Sequence, residues 1–151
     1  SVSRVGGAAQ VNIMKQLTKA LRLELAQYHE LLDFAQFGTE LDEISQKRLK
    51  RGAIVVELLK QERLVRYSFV EQILILFLLR EQFFDAIDRK QITVFIRQFL
   101  SYVRSVYGDV YHEIERSRDL TSEISHSLVT IATEFSKLFV PVDRDDQWIG
   151  E

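Results

Sequence analysis

A chain of 151 residues that is 46% hydrophobic is long enough to bury one core of its own. Its 20 basic and 22 acidic residues leave a net charge of −2, so it carries no basic footprint for nucleic acid or an anionic membrane. The lack of cysteine excludes a disulfide scaffold and thiolate metal sites, and the longest apolar run, 73–79, is far short of the roughly 20 residues that cross a bilayer.

One proline and six glycines leave few helix breakers, and no internal repeat interrupts the pattern. The chain opens Ser1-Val-Ser-Arg-Val-Gly-Gly-Ala-Ala-Gln10, ahead of a first helix predicted over 8–37. A cation before a helix N-terminus opposes the helix dipole, by up to about 1 kcal/mol. Gly6 and Gly7 remove side-chain bulk beside Arg4, so another surface can approach it closely. On the residues alone, Arg4 is either a solvated arginine at a chain end or one positioned toward an anion. Along the helix, Met14, Leu17, Leu21, Leu25, Tyr28, Leu32 and Ala35 recur at spacings of three and four, which makes one apolar stripe for core packing. Gly38 suits the C-terminal cap, and Thr39 suits the N-cap of the next helix. The link 37–43 is acidic. Its Glu40 and Asp42 either compensate a helix dipole or offer an acidic loop to a basic partner.

A second helix is predicted over 41–61, with Leu41, Ile44, Leu49, Val56 and Leu59 as its apolar face and Gly52 marking a bend or a close helix crossing. The basic cluster Gln46-Lys-Arg-Leu-Lys-Arg51 reads as a solvated helix face. After a polar connection, the third helix is predicted over 69–87. Its stretch 73–79 is apolar all round, so this helix belongs at the centre. Asp88 suits the N-cap of a fourth helix, 89–107, stopped by Gly108, with Ile92, Phe95, Ile96, Phe99, Leu100, Val103 and Val106 as its face. A short helix over 109–116 follows. The last, over 122–139, is capped by Thr121, faces inward through Ile124, Leu128, Ile131, Phe135 and Leu138, and ends before Pro141. The expected fold is therefore all-α, a bundle of five to six helices with a short extended N-terminal segment. The helical domain spans 8–140 and an acidic tail spans 141–151.

Catalytic motifs are missing. There is no Gly-rich phosphate loop ending in Gly-Lys-Ser/Thr. His112-Glu-Ile-Glu-Arg116 starts like a zinc-protease helix, but Arg116 stands where the second histidine belongs, and His29-Glu-Leu-Leu-Asp33 fails at the same place. Glu113 and Glu115 diverge by about 200° around a helix and cannot converge on one substrate. No metal site is expected.

The opening motif resembles the start of the C-terminal helical region of F-type ATP synthase alpha subunits. The likeness continues through Met14-Lys-Gln16, Leu21-Arg-Leu-Glu-Leu-Ala-Gln-Tyr28, Phe34-Ala-Gln-Phe-Gly38, Leu41-Asp42, Arg51-Gly52 and Glu57-Leu-Leu-Lys-Gln61, and Glu71-Gln72 still falls in step. This resemblance implies that Arg4 is an arginine finger reaching the catalytic site of a neighbouring beta subunit, so that 1–7 belong with the nucleotide-binding region. It implies that Gln61 helps hold the adenine of a nucleotide at the non-catalytic site. There, Arg63 replaces a second glutamine. It also implies that the loop carrying Glu40 and Asp42 faces a central rotor stalk.

The implied cofactors are ATP or ADP with Mg, at sites shared with other chains or upstream residues and not held by this chain alone. The implied partners are the upstream part of the alpha subunit, beta subunits and the stalk, with neither nucleic acid nor membrane insertion. The implied place is the matrix side of the mitochondrial inner membrane, with the stromal side of the thylakoid and the bacterial cytoplasmic face as alternatives. A different reading keeps the fold but makes it a non-catalytic helical interaction module.

Overall fold

The computed structural model describes residues 4–37, 40–59 and 66–141, with the side chains of the first helix described from residue 15 onward. Helix α1 is a single 33-residue element, Arg4–Gln36. It starts at Arg4 and not at residue 8, which corrects the extended segment expected there: residues 4–7 are helical. Extending an existing helix needs no new nucleus, and no proline blocks it. That offsets the roughly 1 kcal/mol that each of Gly6 and Gly7 costs relative to alanine.

Five helices follow: α2 (Glu43–Leu59), α3 (Phe69–Arg80), α4 (Ile92–Val106), α5 (Gly108–Ser117) and α6 (Ser122–Leu138). A 3-10 turn, Arg89–Gln91, leads into α4, and Asp88 caps that turn through Lys90 N at 3.0 Å. The described residues thus form an all-α bundle of six helices without a strand, as the periodicity predicted.

The core is organised on α3. Every side chain from Ile73 to Leu79 is 0–1% exposed, and burial of each contributes about 1.5–3 kcal/mol relative to leaving it in water. The helix packs on α1 to one side and on α4 and α5 to the other. Its start is fixed by a capping box, in which Ser68 Oγ accepts from Glu71 N at 3.3 Å and Glu71 Oε1 accepts from Ser68 N at 2.9 Å.

Its end corrects the prediction. α3 stops at Arg80, seven residues before the expected 87, and Gln82 turns the chain with φ 66°. This turn tucks Phe84 into the core, 1% exposed and edge-on to Phe95 with ring centroids 5.8 Å apart. Two other apolar residues assigned inward face water instead: Val106 is 58% exposed and Leu138 62%. Thr121 caps α6 as expected, accepting from Ile124 N at 3.2 Å.

Candidate functional site

The α1–α2 hairpin carries the surface that the sequence singled out, and two contacts fix its geometry. At the first, α2 crosses α1 at Gly52, whose missing side chain leaves room for Tyr28. A Cβ built there would lie 2.6 Å from the Tyr28 Cβ and overlap the ring. This is the close crossing that the glycine signalled. At the second, Arg51 ties three segments together. Its Nε and Nη2 donate to the two carboxylate oxygens of Glu24 at 2.6 and 2.7 Å. Nη1 donates to Asp85 at 3.1 Å, and Nη2 also donates at 2.7 Å to the carbonyl of Leu79, which accepts from Gln82 N at 3.1 Å as well. Burial opposes the guanidinium charge, but Glu24 and then Asp85 outweigh it and hold the Arg51 pKa above its usual value. Arg51 therefore does not belong to the solvated basic face to which the sequence assigned it.

The hairpin ends in an acidic tip. Asp42 Oδ1 accepts from Ser45 N at 2.7 Å, and the Asp42 carbonyl accepts from Gln46 N at 3.0 Å. Asp42 is thus the cap of α2, the role expected of Thr39, which lies outside the described residues. The side-chain and then the backbone hydrogen bonding of Ser45 hold its carboxyl below the usual value. Glu40 beside it is exposed.

Three large apolar side chains share the tip: Phe34 at 60%, Phe37 at 86% and Ile44 at 64% exposed. Ile44 was expected in the buried face of α2. That face is instead built from Gly52, Ile54, Val55 and Leu58, because these positions meet α1. The readable signal for the tip was Phe34, a large apolar residue standing off the α1 stripe.

The remaining candidates are not brought together. Arg4 sits in the first turn of α1, with its side chain outside the described residues, and Gln61 and Arg63 also lie outside them. His112 lies 3.6 Å from Glu115 and Arg116 pairs with Glu113 at 2.6 Å, so these side chains meet one another along the exposed face of α5. Among the described residues no three His, Asp or Glu side chains converge as a metal-ligand set, and no helix is long and apolar enough to cross a membrane.

Comparison with known proteins places this helical architecture. Residues 10–135 match the family model of the ATP synthase alpha/beta chain, C terminal domain. The ATP synthase subunit alpha of Clostridium botulinum (strain Eklund 17B / Type B) is 44% identical over 140 residues, 93% of this chain and 28% of the relative. The ATP synthase subunit alpha 2 of Hahella chejuensis is 44% identical over 135 residues, 89% of this chain and 26% of the relative. That of Lawsonia intracellularis is 40% identical over 144 residues, 95% of this chain and 28% of the relative. The chain spans less than a third of the length of these relatives. It belongs to the ATP synthase alpha/beta family, as a C-terminal helical domain of the alpha-subunit kind.

Proposed function

We propose that this chain works as the C-terminal part of the alpha subunit in a rotary, proton-translocating ATP synthase. The observation that carries the reading is the identity to alpha subunits along 93% of the chain, joined to the Val-Ser-Arg-Val-Gly motif at Arg4. In this reading Arg4 is supplied in trans to the catalytic site of a beta subunit. Phosphoryl transfer spreads negative charge over the terminal phosphate oxygens, and a planar, permanently charged guanidinium stabilises that charge. Such a group is worth roughly 10³–10⁵ in rate. Because it comes from another chain, turnover depends on closure of the interface between the two.

In this reading ATP or ADP with Mg binds at sites shared with other chains or upstream residues, in keeping with a sequence that carries no Gly-rich phosphate loop. Gln61 contributes an amide to the adenine edge at the non-catalytic site, with Arg63 beside it. Glu40 and Asp42 make screened charge contacts with a basic stalk surface. The head so formed works beside an energy-transducing membrane, on the matrix side of the mitochondrial inner membrane. The cytoplasmic face of a bacterium is the alternative that the bacterial relatives favour. Arg63, in place of the family's second glutamine, is the feature that fits the other reading, a helical interaction module without catalytic work.

The test is assembly. Co-expressed with the upstream part of an alpha subunit, beta subunits and stalk, the chain is expected to co-purify in stoichiometric amounts with an ATP-hydrolysing head. A stable head that excludes the chain overturns the proposal.

A further inference from the structure

The end of α6 and the turn after α3 pack on one ring. The Phe139 ring lies 5.0 Å from that of Phe95, and the Phe84 ring lies 5.8 Å from it, centroid to centroid. Phe139 leaves the helix with extended backbone, φ −66° and ψ 128°. Two residues before Phe84, Gln82 lines a cleft of about 210 Å³, whose walls include Gln27 and Tyr28 of α1 and Arg48 and Arg51 of α2. The charges of this cleft are spent unequally. Arg51 takes both carboxylate oxygens of Glu24. Arg48 is exposed and makes no hydrogen bond or ion pair among the described residues, and Lys47 beside it is exposed as well.

We propose that the segment 142–151 of this chain docks on this cleft, with Asp145 and Asp146 against Arg48 and Lys47 and the Trp148 indole in the cleft itself. Reach, charge and size select this occupant. From Pro141 to Trp148 an extended chain spans up to roughly 23–25 Å, and it departs beside the ring on which Phe84 also packs. The segment carries four acidic residues against one arginine, the sign opposite to Arg48 and Lys47. A cleft of about 210 Å³ is smaller than the roughly 300–1,000 Å³ of small-molecule sites and suits one large side chain. Trp148 is the chain's one tryptophan. An indole stacks on a guanidinium while its N–H donates to a carboxamide oxygen, and Arg48, Gln27 and Gln82 offer these groups. Tethering raises the effective concentration to the mM range, so a contact of modest strength is populated. The inference is independent of the roles of Arg4 and Gln61.

The test is tryptophan fluorescence of the full chain, which reports Trp148 alone. Relative to N-acetyl-tryptophanamide, blue-shifted emission and weaker quenching by acrylamide are expected, both moving toward the free value as salt rises. Arg48→Glu is expected to shift the equilibrium toward the free segment by about threefold or more, and adding Asp145→Arg with Asp146→Arg is expected to restore protection. Because the chain has no cysteine, a cross-link locates the contact. Gln82→Cys with Gln147→Cys is expected to form a disulfide within one chain, and Glu123→Cys with Gln147→Cys, at the opposite end of α6, is expected to form none. Emission and quenching like free indole in the wild-type chain overturn the proposal without recourse to any variant. Protection that Arg48→Glu leaves unchanged, or a cross-link that forms only between two chains or equally well at position 123, overturns it too.

Discussion

Replacing Gly52 by alanine tests the crossing that holds the hairpin. The added Cβ would lie 2.6 Å from the Tyr28 Cβ, whereas carbon atoms in contact prefer about 3.5–4.0 Å. Rotating the Tyr28 side chain relieves the ring but not its Cβ, so α1 and α2 must part by roughly 1 Å. Overpacking of this kind costs about 1–3 kcal/mol. Alanine returns up to about 1 kcal/mol through its better helix propensity. The net loss is about 1–2 kcal/mol, and for a chain of this size it corresponds to a fall in Tm of about 3–6 °C. Thermal unfolding of wild type and Gly52→Ala, followed by circular dichroism at 222 nm, measures it. A Tm equal to or above that of wild type would refute the crossing, because propensity alone makes alanine the better helix residue.

Arg51→Met keeps the aliphatic volume but leaves Glu24 and Asp85 without the guanidinium and takes one of its donors from the Leu79 carbonyl. Urea unfolding is expected to show a loss of about 2 kcal/mol, with a partial return when Glu24→Met is added. The Tyr102–Glu134–Tyr107 cluster, in which both tyrosine hydroxyls donate to Oε2 of Glu134, predicts a pH signature. The Glu134 hydrogen bond, followed by desolvation, pushes the Tyr102 pKa from 10.0 up to about 12. The tie therefore persists below the ordinary tyrosine pKa and is lost as pH rises through the raised one. At the acid end, Tyr107 and then Tyr102 hold Glu134 below its usual value, so that support is lost as pH falls through the depressed pKa. Absorbance titration of tyrosinate near 295 nm should show Tyr102 ionising late, and Glu134→Gln should bring it back toward 10.0. An unchanged late ionisation in that variant would refute the cluster.

The fold was legible where burial follows local period. Leu17 and Leu21 lie on the predicted stripe and are 0–1% exposed, and the all-round apolar run at 73–79 marked the central helix correctly. It was illegible where a long-range contact overrides local preference. Glu81 and Gln82 are good helix formers, yet the chain turns there so that Phe84 can pack on Phe95. Periodicity also names a face without saying whether a neighbour covers it, which is why Ile44, Val106 and Leu138 sit in their helical patterns but in water.

Arg51 illustrates the same limit for charge. Its partner Glu24 is 27 residues away, so nothing local separates it from the solvated lysines around it. At the acidic tip, Asp42 was read as dipole compensation or a partner contact, and its backbone hydrogen bonds supply the first of these. The roles proposed for Arg4, Gln61 and Arg63 rest on resemblance to a family, because the residues alone leave Arg4 open between a solvated chain end and a contact with an anion.

ATP turnover by the assembled complex carrying Arg4→Lys, measured beside nucleotide affinity, decides whether Arg4 acts as an arginine finger. Lysine keeps the charge but loses the planar fork. A finger requires turnover to fall by orders of magnitude with ATP still bound, the mark of an interaction made in the transition state. Turnover near wild type in an intact complex would contradict it and leave the chain as a helical interaction module.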